Sequence, residues 1–130
     1  MKEWEINGLS ITFDLEDLET AERCDKAFHT MEQEENQILK TKFDRHSDKI
    51  RTYCAMYRHF FENLFGRETA GQIFQNQPVN SRIYEEIYIS FLKFSVTASA
   101  QAFDERQERF RQFTGNRQQR RKIKRKKHKK

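Results

Sequence analysis

Two cysteine–histidine pairs come closest to a chemical motif in this chain. Cys24/His29 and Cys54/His59 repeat the same five-residue spacing, and these are its two cysteines. Two thiols and two imidazoles would suit a tetrahedral zinc ion. On a helix, however, five residues turn a side chain by about 140°, so neither pair converges on one ion. The spacing instead predicts two thiols on buried stripes and two histidines at the surface. Gly66 and Gly71 are separated like the glycines of a phosphate loop, but Gln72 and Ile73 follow where Lys and Ser or Thr are needed. A di-iron bundle needs Glu three residues before His. Lys26, Phe43 and Met56 precede His29, His46 and His59 instead. Glu32, Glu34, Glu35, Glu85 and Glu86 read as solvated faces. No nucleophile, base and acid form a set, so we expect no enzyme: no catalytic residue, no metal ligand and no cofactor.

The elements that would position any site are easier to read. "KEWEINGLSITFDL" predicts a β-hairpin, because Asn7-Gly8 suits a type I′ turn, whose two central residues both need positive φ. Trp4 and Ile6 alternate with charge on one strand, as Leu9, Ile11 and Phe13 alternate on the other. A lone hairpin is marginal in water, so its apolar face must lie on helices. Asp14 or Asp17, or later Thr20, opens a first helix over about 17–43, with a stripe of Leu18, Ala21, Cys24, Phe28, Met31, Ile38 and Leu39. Ser47 is the expected cap of a second helix, carrying Ile50, Tyr53, Cys54, Tyr57, Phe60, Phe61, Leu64 and Phe65. Gly66 ends it in the left-handed role. "RETAGQIFQ" predicts a short third helix, stopped by Asn76 and Pro78. Asn80 or Ser81 opens the last helix, whose broad apolar face runs from Ile83 to Ala102.

Beyond Ala102 that face narrows to Phe103, Phe110 and Phe113, and Gly115 is the expected stop. A helix continuous to residue 113 would be about 50 Å long, more than a compact domain of this size spans. We expect the Phe103–Phe110–Phe113 seam to pack against the first helix near Phe28 and Met31. The alternative is a groove edge that takes an amphipathic partner helix. A core of Trp4, Phe60, Phe61, Leu64, Ile87 and Phe91 should join the hairpin to the second and last helices. The fold class is therefore mainly α, a bundle of three to four helices with an N-terminal β-hairpin.

Charge divides the chain of 130 residues. The last fifteen, "NRQQRRKIKRKKHKK", hold ten Lys or Arg and no acid, whereas residues 1–115 hold 15 basic and 20 acidic side chains. We therefore expect a domain over 1–115 and a disordered basic tail over 116–130, since like charges repel and only Ile123 offers anything to bury. An acidic body argues against a folded surface that tracks phosphates. The two cysteines form no disulfide framework and suit a reducing cytoplasm. "MKEWEINGLS" lacks the apolar run of a signal peptide, and no stretch is long and apolar enough to span a membrane.

Three stretches together, "INGLSITFDLEDLETAERCDKA", "FFENLFGRETAGQIF" and "NRQQRR", resemble the tail assembly chaperone-like proteins of phages and prophages of Gram-positive bacteria. There the ending commonly reads Pro-Asn-Arg-x-Gln-Arg-Arg; Asn116, Arg117, Gln119, Arg120 and Arg121 match it, and Gly115 stands in the proline's place. The resemblance implies a non-enzymatic protein of the bacterial host's cytoplasm that binds the tape measure protein and gathers tail-tube protein around it. The residues we single out for partner binding are Phe103, Phe110, Phe113, Arg117, Arg120 and Arg121. Two other readings stay open. One is a nucleic-acid-associated phage protein using its basic tail, and the other is a small structural phage protein whose tail adds solubility.

Overall fold

The structure is a computed structural model that describes the backbone of residues 2–128 and the side chains of residues 3–113. It is mainly helical. A hairpin of β1 (Lys2–Ile6) and β2 (Leu9–Phe13) precedes four helices: α1 (Leu18–Lys40), α2 (His46–Phe65), α3 (Arg67–Ile73) and α4 (Ser81–His128). The chain divides into two units, Met1–Ser95 and Val96–Lys130.

In the hairpin, Ile6 pairs with Leu9 and Trp4 with Ile11. The two-residue loop has φ 49° at Asn7 and 81° at Gly8. Both values lie in the region a type I′ turn requires. Trp4 and Phe13 are buried, with Ile6, Leu9 and Ile11 packed beside them. Asp17 caps α1, its carboxylate accepting the Thr20 N–H at 3.1 Å. That helix ends three residues before the expected residue 43. Thr41 leaves helical geometry, and its hydroxyl donates to the Gln37 carbonyl at 2.6 Å. This frees Phe43 to fold back onto the core.

Ser47 is not the cap of α2. Arg45 holds that position in extended conformation, without a side-chain hydrogen bond. Its carbonyl accepts from the Asp48 N–H at 3.1 Å, and Asp48 supplies negative charge to the first turn, where it complements the helix dipole. Gly66 ends α2, but not in the left-handed helical conformation: φ 93° and ψ 163° put it in extended backbone of positive φ. That region is essentially reserved for glycine. The larger ψ swings the chain round so that α3 begins at the next residue. Asn76, at φ 65°, follows α3, and the Asn80 side chain caps α4 by accepting from the N–H groups of Arg82 at 2.9 Å and Ile83 at 3.1 Å. The helix then continues through Gly115 to His128. An interior glycine costs a helix about 1 kcal/mol against alanine, a penalty rather than a stop. The disordered state expected for 116–130 lies outside the residues described with side chains.

The core of the first unit is aromatic, and Phe91 is its hub. Its ring meets Trp4 at 5.3 Å, Phe13 at 5.2 Å, Phe60 at 5.8 Å, Phe61 at 5.7 Å and Phe65 at 5.8 Å, all edge to face. Such pairs add roughly 0.5–1.5 kcal/mol beyond burial. Trp4, Phe60, Phe61, Leu64, Ile87 and Phe91 are all buried together, as the sequence led us to expect. On α1 the stripe is narrower than expected. Cys24, Ala27, Met31 and Ile38 are buried, while Leu18 and Leu39 are 73% and 70% exposed. Adjacent residues on a helix point about 100° apart, so Ile38 and Leu39 cannot share one narrow face.

Candidate partner-binding surface

The strongest unburied apolar feature lies on α4. Phe103, Phe110 and Phe113 are 58%, 64% and 66% exposed. Their expected burial is therefore not found. Large apolar side chains normally leave water wherever the chain offers them a surface. Three phenylalanines kept in solvent on one helix mark a contact site or an aggregation hazard. Val96, 69% exposed, belongs to the same face and was missed by the sequence reading. The signal was present: Val96, Phe103 and Phe110 follow at seven-residue steps, with Phe113 three residues further. At 3.6 residues per turn the four fall within about 100° of arc. The face is about 26 Å long, taking 1.5 Å of rise per residue. Arg117, Arg120 and Arg121, the other residues singled out for partner binding, lie outside the described side chains.

Between these apolar residues the helix is charged and balanced. Asp104, Glu105 and Glu108 stand against Arg106, Arg109 and Arg111. Arg111 reaches back to Glu108 at 3.1 Å. Acid predominates at the start of this run and base at its end.

The first unit carries polar groups whose role is structural. The Tyr57 hydroxyl donates to the Glu85 carboxylate at 3.3 Å, joining α2 to α4. Burial, reinforced by the negative charge of Glu85, pushes the Tyr57 phenol well above its usual range, so it remains a donor at any ordinary pH. Trp4 satisfies its indole N–H on the Ser90 hydroxyl at 3.2 Å. Cys24 and Cys54 are buried on core stripes, and His29 and His59 are exposed. His59 lies 3.2 Å from the Glu34 carboxylate across α1 and α2. Burial, and then the neighbouring Asp25, pushes the Cys24 thiol up to about 11. Among the described residues, no group of three or more His, Cys, Asp or Glu is placed to hold a metal ion, and no helix is long and apolar enough to cross a membrane. An open recess of about 700 Å³ along α1 has a chiefly apolar surface, with Ile38 and Phe43 beside the side chains of Thr30, Gln33, Gln37 and Thr41.

Residues 7–124 match the model of a family described as a family of unknown function (DUF6673). The chain belongs to that family. The match begins at the hairpin turn, takes in the exposed α4 face and extends into the basic segment, so this DUF6673 member has both features within the span that the family shares. No curated protein and no solved structure matches the chain.

Proposed function

We propose that this DUF6673 chain is a non-enzymatic adaptor that holds a helical, aggregation-prone client, in the manner of the phage tail assembly chaperones its sequence resembles. The clients would be the tape measure protein and, with it, tail-tube subunits, in the cytoplasm of a bacterial host. One observation carries the reading: Val96, Phe103, Phe110 and Phe113 form an exposed apolar face of helical register. A client helix with its own apolar stripe would bury that face by helix-to-helix packing, the mode in which i, i+3 and i+7 anchors supply affinity. The balanced charge between the phenylalanines would then set register more than affinity.

The test is co-expression with a tape measure protein, sought as a long helical reading frame directly downstream of the gene for this chain. The adaptor reading expects the client to remain soluble and to co-purify, and expects Phe103→Asp with Phe110→Asp to abolish both while the adaptor stays folded. A client that is equally soluble without the chain overturns the reading.

The basic C-terminal segment favours a second reading, as a nucleic-acid-associated protein. Ten Lys or Arg within residues 116–130 would bind any polyanion at low salt, so only measurement near physiological ionic strength discriminates. The adaptor reading expects negligible DNA binding at about 150 mM salt. Submicromolar binding there favours the nucleic-acid reading.

A further inference from the structure

We infer that the cleft between α1, α2 and the first turns of α4 is a docking site for a cationic amphipathic helix of a partner protein. That helix would carry an apolar stripe flanked by Lys or Arg. The cleft belongs wholly to the first unit, Met1–Ser95, and the inference does not rest on the exposed α4 phenylalanines.

Two adjoining recesses, of about 490 and 300 Å³, make up the cleft and share Glu35 and Tyr57 among their lining residues. Spacing on α1 builds one wall. Phe28, Glu32, Glu35 and Leu39 follow at steps of four, three and four, which keeps them on one side of a helix. From Phe28 to Leu39 the wall runs about 16 Å, three helical turns. Phe28 is 38% and Leu39 70% exposed, so open apolar surface stands at both ends. Tyr57 on α2 and Tyr88 on α4 line it between them, ring centroids 5.5 Å apart.

Charge selects the occupant. Glu32, Glu35 and Glu85 line the cleft against one base, Arg82, and that guanidinium lies 4.0 Å from Glu86. Residues 1–95 hold 12 basic and 17 acidic side chains, so their surroundings reinforce the negative field. Burial, and after it the charge of Glu35, raises the Tyr88 phenol, which keeps the ring neutral beside the carboxylates. Rings next to acids favour a guanidinium or ammonium whose stem lies along the ring while its head meets the carboxylate. Nucleic acid has the wrong sign for this cleft. A neutral apolar helix would cover Glu32 and Glu35 without pairing them, at a cost in desolvation. A helix that is both basic and apolar satisfies both demands, in helix-in-groove recognition. The small area implies affinity of micromolar order.

The experiment is fluorescence anisotropy with the purified full chain, from about 1 to 200 μM, at about 0.1 M and 0.5 M NaCl. The probe is a labelled synthetic helix of about fifteen residues, with Leu along one stripe and Arg on both flanks. Expected is saturable binding that weakens several-fold at the higher salt. Glu35→Gln should weaken it about fivefold, and Leu39→Gln about threefold, each with an unchanged circular dichroism melt because the side chain is exposed. Gln33→Lys changes net charge by the same amount as Glu35→Gln but lies about 200° round α1, so it should weaken binding less than twofold. A second probe, the peptide NRQQRRKIKRKKHKK, has the charge with Ile123 as its one apolar residue, and should bind at least fivefold more weakly. No binding of the first probe by 200 μM overturns the inference. Equal effects of Gln33→Lys and Glu35→Gln, or equal affinity for the two probes, reduce the contact to net charge and overturn it as well. A chain that sediments as a dimer and binds neither probe overturns it in favour of a second copy in the cleft.

Discussion

The side-chain amide of Asn7, in the hairpin turn, donates to the main-chain carbonyl of Ile73 at the end of α3, 2.9 Å away. One residue thus shapes the turn, through its φ of 49°, and ties the hairpin to a helix end that would otherwise leave a carbonyl unpaired. Asn7→Gly keeps the backbone and removes only the amide. It should cost about 0.5–1.5 kcal/mol, read as a lower urea midpoint at unchanged slope. Asn7→Ala loses the same bond and adds about 1 kcal/mol of left-handed strain, so it must be the worse variant. Alanine equal to glycine here would remove the turn from the account.

Phe61 and Phe110 should respond oppositely to truncation. Phe61 has no exposed surface and stacks on Trp4 at 5.5 Å. Phe61→Ala should cost about 3–5 kcal/mol through lost transfer energy and a residual cavity. Phe110→Ala should stay within about 0.5 kcal/mol of the parent. Chemical denaturation of the two variants side by side measures the contrast, and a large loss at Phe110 would mean that its face is buried by the chain itself.

Two glycines separate backbone demand from space. Gly66 has φ 93° with nothing within 4 Å of an added Cβ, whereas at Gly71 the nearest side-chain atom is Arg58 Nη2 at 3.8 Å and φ is ordinary. Gly66→Ala should therefore destabilise by about 1–3 kcal/mol from backbone strain alone. Gly71→Ala, inside α3, should stabilise by about 0.4–1 kcal/mol by narrowing the unfolded ensemble. Thermal melts that rank the two the other way would contradict the assigned conformations.

Alkaline pH should destabilise the fold. The Cys24 thiol is raised from 9.0 to about 11 in the folded state, so folding favours its protonated form. That contribution is complete below the unfolded value and is lost as pH rises through the interval from about 9 to 11. Burial raises the phenols of Tyr57, Tyr84 and Tyr88 in the same direction, so they add to the loss once pH passes their ordinary value of 10.0. Denaturant midpoints measured from pH 8 to 11 should fall, and Cys24→Ala should flatten the lower part of the fall. Rapid modification of both native thiols by a thiol reagent at pH 8 would contradict their burial.

The local elements were legible because their signals are short-ranged. Asn7-Gly8 demands its turn by sterics, Asp17 and Asn80 cap by reaching backbone two or three residues on, and Pro78 forbids continuation of α3. The aromatic stripes of α2 and α4 named the core correctly, since few other positions in so charged a chain could supply one. The α2 cap, the conformation at Gly66 and the passage of α4 through Gly115 were misread. In each, the side chain permits an outcome that the neighbouring backbone decides.

The partner surface shows where sequence stops. Periodicity alone determined that Phe103, Phe110 and Phe113 share a face of one helix, and charge counting determined an acidic body followed by a basic segment. Neither could say whether that face is covered, because an apolar stripe looks the same when it meets another part of its own chain as when it meets solvent. Tertiary structure decided it by filling the core with Trp4, Phe13, Phe61 and Phe91 within the first 95 residues and leaving the α4 phenylalanines exposed. Burial is a property of the space around a residue, and that space is set by residues far away in the chain.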